Sequence, residues 1–149
     1  MSDTPAPQRL FKKIDHLGIA VPSLADAIPL YETLLGATVE HIEEVEDQKV
    51  RTAFFTVGES HFELLEPTDP DGPIARYLSK HRPGIHHICV QVEDIEAVLA
   101  AYKAAGIRLI DETPRIGAGG MRIAFVHPKS TGGVLLELSE PMPDAKGHG

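Results

Sequence analysis

The sequence predicts an α+β fold in which two tandem βαβββ modules form an eight-stranded open cup around a metal site. The first observation is a repeat: residues 14–21 (IDHLGIAV) resemble residues 85–92 (IHHICVQV), 71 positions later. The second is that residues 62–67 (FELLEP) resemble residues 136–141 (LELSEP), 74 positions later. Because one half alone would leave a face of its sheet unburied, the two copies are expected to pack together.

The first module, residues 14–67, is predicted to run strand, helix and three strands. Its first strand, 14–21, ends at Pro22. Ser23 can cap a helix in which apolar residues recur at helical spacing as far as Gly36, although Pro29 within it is tolerated only in a first turn. Three strands follow at 37–46, 50–57 and 60–66, the last two joined by the tight turn Gly58-Glu59.

The second module, residues 85–140, is predicted to repeat this order. It is preceded by a linker, 68–84, which contains a short amphipathic helix at 74–81. The module itself reads as a strand, a helix and three further strands, at 85–92, 94–105, 107–111, 121–127 and 133–139. The two ends, 1–13 and 141–149, are rich in Pro, Gly and polar residues and are predicted to be flexible tails.

Composition limits the classes of function. The 149 residues carry 42% hydrophobic and 24% charged side chains, which is typical of a soluble globular protein. The net charge of −8, with no basic stripe on any predicted element, argues against a nucleic-acid partner. A single cysteine, Cys89, permits no intrachain disulfide, and no apolar run approaches the roughly 20 residues that span a bilayer. We therefore expect a cytoplasmic protein with no membrane partner.

Each copy of the repeat places one histidine and one glutamate on an apolar strand. A single strand histidine is more often structural than a ligand, and a buried glutamate is costly unless it is paired or bound to a cation. That both recur at matching positions requires a common cause. Two imidazoles and two carboxylates suit Zn, Co, Ni, Mn or Fe(II) and are too rich in nitrogen for Ca. The sequence therefore predicts a metal site whose ligands are His16, Glu63, His87 and Glu137.

Four segments carry a family resemblance: 15–21 (DHLGIAV), 62–67 (FELLEP), 84–88 (GIHHI) and 116–129 (IGAGGMRIAFVHPK). With these, the chain resembles the vicinal-oxygen-chelate superfamily and, within it, the methylmalonyl-CoA epimerase family. The resemblance implies paired βαβββ modules around a divalent metal, often in a homodimer, and it assigns the same four ligands. Several members of the family have Gln where this chain has Glu63.

The resemblance also implies an activity, the metal-dependent epimerisation of (2R)- and (2S)-methylmalonyl-CoA. The proton at C2 is removed, the metal stabilises the enolate, and a proton returns to the opposite face, so two bases are needed. Glu137 and Asp47 are the expected catalytic residues. Because the family more often has Glu at the second position, Glu46 is the alternative to Asp47. Co²⁺ is the expected cofactor, with Zn²⁺, Mn²⁺ or Ni²⁺ as alternatives.

Substrate contacts are expected in two loops. The glycine-rich segment 117–120 lacks the Lys-Ser/Thr of a phosphate-binding loop and follows no Rossmann strand, so its amides are expected to approach an acyl-CoA instead. Arg115 and other residues bordering this segment are candidates for contacts with the phosphates of coenzyme A. The expected substrate-binding residues are Gln48, Gly119, Arg122, Lys129 and Ser130.

Other functions on the same scaffold stay open. One alternative is another metalloenzyme of the superfamily, either an ethylmalonyl-CoA epimerase or a glyoxalase I-like isomerase that would act on glutathione hemithioacetals. An extradiol dioxygenase would use Fe(II) with two histidines and one carboxylate, so the extra carboxylate and segment 116–129 argue against it. A non-enzymatic module that binds a small ligand has no need of duplicated metal ligands.

Overall fold

The computed structural model describes residues 5–143, in which three α-helices and eight β-strands confirm the α+β class. The contacts divide the chain into two compact units. The first unit is His16–His86, and the second is His87–Gly149 together with Met1–Asp15, as far as these residues are described. No helix within residues 5–143 is long and apolar enough to cross a membrane.

In the first unit, a four-stranded sheet has one face covered by α1, and on the other face Ile74 of the short helix α2 packs against Ala20 and Leu65. The strand order is β2-β3-β4-β1, and only the β1–β4 pair is parallel. Leu64 of β4 packs with Phe55 of β3 and with Ala27 of the first helix, α1. Because successive strand residues face opposite sides, Glu63 lies on the face turned away from α1. The elements are β1 (Phe11–Ala20), α1 (Leu24–Leu35), β2 (His41–Val45), β3 (Val50–Val57), β4 (Ser60–Pro67) and α2 (Pro73–Lys80).

The second unit has the same arrangement. Its strand order is β5-β8-β7-β6, and β5 and β8 are parallel. Leu138 of β8 packs with Ala124 of β7 and with Val98 and Leu99 of α3, so that Glu137 again lies on the face turned away from the helix. The elements are β5 (Gly84–Val92), α3 (Ile95–Ala104), β6 (Arg115–Ile116), β7 (Arg122–Val126) and β8 (Leu136–Glu140).

The local signals for helix ends and turns are confirmed. The Ser23 hydroxyl accepts a hydrogen bond from the N–H of Asp26 at 3.3 Å, and Asp94 caps α3 in the same way. Gly36 ends α1 with a φ of 62°, a left-handed conformation that suits glycine. Gly58 has a φ of 62° in the two-residue turn between β3 and β4.

One predicted strand is wrong in part and another is wrong throughout. Of residues 37–46 only His41–Val45 is a strand, because the backbone before it is held by the helix: the carboxylate of Glu32 accepts from the N–H of Val39 at 3.2 Å. Residues 107–111 form no strand and make one isolated bridge to β7. There the carboxylate of Asp111 accepts from the N–H of Phe125 at 2.9 Å, a bond that a strand would reserve for a backbone carbonyl.

The predicted tails differ in what the structure shows of them. β1 begins at Phe11, three residues before the predicted start, and Leu10 is buried in the core of the second unit. The described residues do not include 1–4, at the start of the predicted N-terminal tail. They also do not include 144–149, which are most of the predicted C-terminal tail.

Both units contain the same clamp between the last strand and the helix. In the first unit, Glu66 accepts from the N–H of Leu24 at 3.3 Å and pairs with Arg51 at 3.2 Å. In the second, Glu140 accepts from the N–H of Ile95 at 2.9 Å and pairs with Arg122 at 3.6 Å. Each glutamate therefore satisfies an N–H that the first turn of a helix leaves free, while an arginine offsets its charge.

We predict that Glu140→Ala lowers the free energy of unfolding by about 1–2 kcal/mol, because the first turn of α3 loses its hydrogen-bond acceptor and Arg122 loses an ion-pair partner. Urea denaturation measures this change. Glu59→Ala, at the exposed turn between β3 and β4, is the matched control and should change stability by less than about 0.5 kcal/mol. Equal values for the two variants would show that the clamp contributes nothing.

Candidate active site

A buried histidine–glutamate pair lies on the open face of the first sheet. His16 of β1 and Glu63 of β4 are 7% and 5% exposed, and the Nε2 of the histidine lies 2.9 Å from the Oε1 of the glutamate. Gly18 stands opposite Glu63 in the parallel pair of strands. Because Gly18 has no side chain, the imidazole two residues earlier can reach across to the carboxylate.

The second sheet carries an equivalent pair. His87 of β5 and Glu137 of β8 are each 6% exposed, with 3.0 Å between Nε2 and Oε1. Cys89, the second residue after the histidine, stands opposite Glu137 and is fully buried. The position opposite the glutamate is therefore occupied by a small residue in both sheets.

The donor atoms of each pair fit a divalent cation. Two ligand atoms bonded at about 2.1 Å to one ion and separated by a right angle lie about 3.0 Å apart. The distances of 2.9 and 3.0 Å match this spacing, which a direct hydrogen bond also produces. A carboxylate that is about 5% exposed requires a hydrogen-bond donor or a cation beside it. Imidazole nitrogen with carboxylate oxygen is the donor set that Zn²⁺, Co²⁺ and Mn²⁺ accept.

A phenylalanine beside each glutamate was missed in the sequence. Phe54 stands opposite Glu63 and Phe125 opposite Glu137, at the same offset of 71 residues as the histidines. The Phe125 ring meets the His87 ring edge to face, with 5.7 Å between centroids, and the Arg115 guanidinium lies 5.7 Å from the same phenyl ring. Extending the repeat alignment beyond the four predicted ligands would have revealed these residues.

The predicted base lies at a turn. Asp47 and Glu46 are exposed on the 3-10 turn Glu46–Gln48, which joins β2 to β3. Gln48 is partly buried, and its Nε2 is enclosed without a hydrogen-bond partner within residues 5–143. A buried amide nitrogen left unpaired is costly, so Gln48 is suited to donate to a ligand.

The glycine-rich loop has a backbone that its sequence explains. Gly119 has a φ of 71°, and a side chain at Gly117 would meet the Cδ1 of Ile123 at 2.7 Å. Of the predicted phosphate contacts, Arg122 is paired with Glu140 and with Glu96. Lys129 is exposed, and the Ser130 hydroxyl accepts from the N–H of Arg108 at 2.8 Å.

Two further polar side chains share the open face of the second sheet. Ser139 is 2% exposed, and its hydroxyl has no hydrogen-bond partner among the described residues. Gln91, opposite Ser139, donates to the carboxylate of Asp15 at 3.2 Å. The first sheet has Ala20 and Leu65 at the matching positions, so the two open faces differ in polarity.

A comparison with protein families matches residues 15–125 to the Glyoxalase/Bleomycin resistance protein/Dioxygenase superfamily. The chain is 41% identical over 130 residues to a protein of Cereibacter sphaeroides named ethylmalonyl-CoA/methylmalonyl-CoA epimerase. This alignment covers 86% of this chain and 97% of the relative.

The solved structures that this chain resembles include methylmalonyl-CoA epimerases. The crystal structure of methylmalonyl-CoA epimerase from Mycobacterium tuberculosis has a TM-score of 0.88 and 37% identity, with 97% of this chain and 98% of that chain covered. A variant of Streptomyces coelicolor methylmalonyl-CoA epimerase, in complex with 2-nitronate-propionyl-CoA, has a TM-score of 0.85 and 37% identity. That match covers 89% of this chain and 96% of the other.

Proposed function

The chain belongs to the Glyoxalase/Bleomycin resistance protein/Dioxygenase superfamily, and from that premise we propose that it is a metal-dependent epimerase of (2R)- and (2S)-methylmalonyl-CoA. The observation that carries the proposal is the buried histidine–glutamate pair found once in each sheet. The epimerase relatives, one of them bound to an acyl-CoA analogue, support this reaction over others in the superfamily.

Four side chains would hold the divalent cation: His16, Glu63, His87 and Glu137. Co²⁺ is the proposed metal, and Zn²⁺, Mn²⁺ and Ni²⁺ suit the same donors. When bound, the cation supplies positive charge for the negative charge that develops on the substrate oxygens. Glu63 in place of a neutral Gln gives the site one further negative charge, which favours a divalent cation over a monovalent one.

The chain's carboxylates carry out the proton transfers. A base within hydrogen-bond reach removes the proton from C2, which lies between the thioester carbonyl and the free carboxylate of the substrate. We assign this step to Asp47 for one stereoisomer and to Glu137 for the other. The exposed position of Asp47 leaves its carboxylate accessible, and Glu46, also exposed beside it, is the alternative.

The proposal also covers the acyl group of the substrate, the oligomeric state and the cellular location. Methylmalonyl-CoA is the proposed substrate, and ethylmalonyl-CoA is the alternative, since the name of the Cereibacter sphaeroides relative includes both. We also propose a cytoplasmic homodimer. The exposed Leu30 and Leu34 side chains of α1, at 55% and 64%, are the kind of apolar surface that a second copy would cover.

The proposed reaction predicts loss of the C2 proton signal in deuterium oxide. Protein loaded with Co²⁺ is mixed with (2R)- or (2S)-methylmalonyl-CoA and followed by proton NMR. We expect exchange at C2 together with racemisation, because one base removes the proton and the base on the opposite face delivers a deuteron that it has taken from solvent. Protein stripped with EDTA is the control and should restore exchange when Co²⁺ is added back. Absence of exchange with every divalent metal tested would rule out the epimerase.

The metal ligands are tested by His16→Ala and His87→Ala. Each should retain less than about one tenth of the bound metal of the wild type after dialysis, because outer partners alone change affinity by about 10–100-fold and a ligand should change it by more. Inductively coupled plasma mass spectrometry measures the bound metal. His41→Ala is the matched control, since His41 also pairs with a glutamate, at 3.2 Å, but is 59% exposed. Full metal content in either ligand variant with a folded chain would remove that residue from the site.

The second base is tested by Asp47→Asn. This variant should keep its metal and its fold but slow C2 exchange by about 100-fold or more, and only from one stereoisomer, because general-base catalysis contributes about 10²–10⁴-fold. Exchange rates in deuterium oxide, measured separately for each stereoisomer, check this. Glu46→Gln is made in parallel. A loss confined to Glu46→Gln would transfer the role to Glu46, and unchanged rates in both would leave Glu137 as the one candidate of the three.

A further inference from the structure

We propose that Arg108, His127 and Lys129 form a binding site for a phosphate group. Resting on the function proposed above, we assign the phosphate to the coenzyme A portion of the substrate. The three residues lie at one end of β7, and two of them, Arg108 and His127, were not among the substrate contacts that the sequence suggested. The name basic cluster is used for these three residues below.

Backbone hydrogen bonds bring the basic cluster together. The N–H of His127 donates to the carbonyl of Arg108 at 2.9 Å, and the N–H of Arg108 donates to the Ser130 hydroxyl at 2.8 Å. Lys129 lies between these two contacts on the turn Pro128–Ser130. Arg108 is therefore fixed beside His127 and Ser130, which lie 19 and 22 positions later in the sequence.

The turn that carries Lys129 is held by its own hydrogen bonds. The N–H groups of Ser130 and Gly133 donate to the carbonyls of His127 and Pro128, each at 2.9 Å. The Thr131 hydroxyl donates to the carbonyl of Pro128 at 3.2 Å. A turn ordered in this way loses little conformational entropy when a ligand binds.

Each of the three side chains can donate at least one hydrogen bond to a phosphate oxygen. The Nδ1 of His127 accepts from the N–H of Lys129 at 3.0 Å, so a neutral ring carries its proton on Nε2 and can donate from there. The pKa of His127 is lowered, first by desolvation of the ring and then by the positive charges of Arg108 and Lys129, which favours the neutral form. Both cations therefore lie close enough to act on the same imidazole.

No carboxylate within residues 5–143 forms an ion pair with Arg108 or Lys129. By contrast, Arg115 is paired with Asp111 at 3.2 Å, and Arg122 is paired with Glu96 and Glu140. Two cations held together without a counter-charge repel each other, and a phosphate would offset both. The net charge of −8 makes such a local basic site necessary for an anionic ligand.

The basic cluster lies along the same strand as the candidate active site. Phe125, two residues before His127, stands opposite Glu137 and contacts the His87 ring. At about 3.3 Å per residue, His127 is displaced by about 7 Å along the chain from Phe125. A thioester whose reactive carbon lies near Glu137 would thus have positive charge at the end of the same strand, within reach of its long tether.

The test compares two thioesters that differ in their phosphates. Methylmalonyl-CoA carries the nucleotide, and methylmalonyl-pantetheine carries none. In the double variant Arg108→Ala/Lys129→Ala, the ratio of kcat/KM for the first substrate to that for the second should fall about tenfold, through KM, relative to wild type. The control Lys80→Ala/Arg82→Ala removes the same two charges from exposed positions and should leave the ratio unchanged. A ratio that is equal in the double variant and the wild type overturns the proposal.

A second measurement keeps the phosphate site separate from the proposed function. Adenosine 3′,5′-bisphosphate and inorganic phosphate are titrated into wild-type protein while the ring proton resonances of His127 are followed by NMR. Saturable shifts with the bisphosphate, absent in the double variant, support the site even if the protein epimerises neither thioester, an outcome that would refute the proposed function alone. Shifts with inorganic phosphate but not with the bisphosphate would overturn the assignment to coenzyme A.

Discussion

The burial of one glutamate carboxylate against one histidine in each sheet determines which residue can stand opposite it and where the apolar core can form. Glu63 and Glu137 are 5% and 6% exposed, and a charge so far from water is tolerated only beside a partner or a cation. The strand opposite must leave room for the imidazole, which Gly18 does by having no side chain and Cys89 by having a small one. The main apolar core of each unit therefore forms on the other face, beneath α1 and α3, while a smaller apolar cluster of the first unit packs under α2 beyond the site.

Strand register couples the core to the site. Leu138 packs beneath α3 because its side chain points to the opposite face from Glu137, and Leu64 and Glu63 stand in the same relation. A slip of one residue would bury the carboxylate beneath the helix and expose the leucine. The clamps at Glu66 and Glu140 oppose such a slip, because each ties the end of the last strand to the first turn of a helix. The residues that stabilise the fold therefore also hold the site in position.

The repeat made much of the fold and the site predictable, and the failures share a physical cause. The helix caps and the two-residue turn depend on local spacing, which the sequence displays directly, and the four proposed ligands come from motifs that recur 71 and 74 positions later. The strand predicted at 107–111 does not form, because the Asp111 carboxylate accepts a hydrogen bond from the N–H of Phe125, fourteen residues later. The partners of Arg122 and the contact of Arg108 with His127 were also not predicted. Local sequence patterns do not indicate contacts between residues that are far apart in the chain.

The two units keep their scaffold and differ in the polar groups on their open faces. The histidine, the glutamate, the phenylalanine and the clamp recur, because each is needed wherever this sheet packs on this helix and buries a carboxylate. Ala20 and Leu65 of the first sheet, however, correspond to Gln91 and Ser139 of the second. The proposed substrate is itself unsymmetrical, with a thioester on one side of C2 and a carboxylate on the other. The second sheet offers polar contacts at a place where the first sheet offers an apolar one, and a difference of this kind allows a site to distinguish one group of a ligand from another.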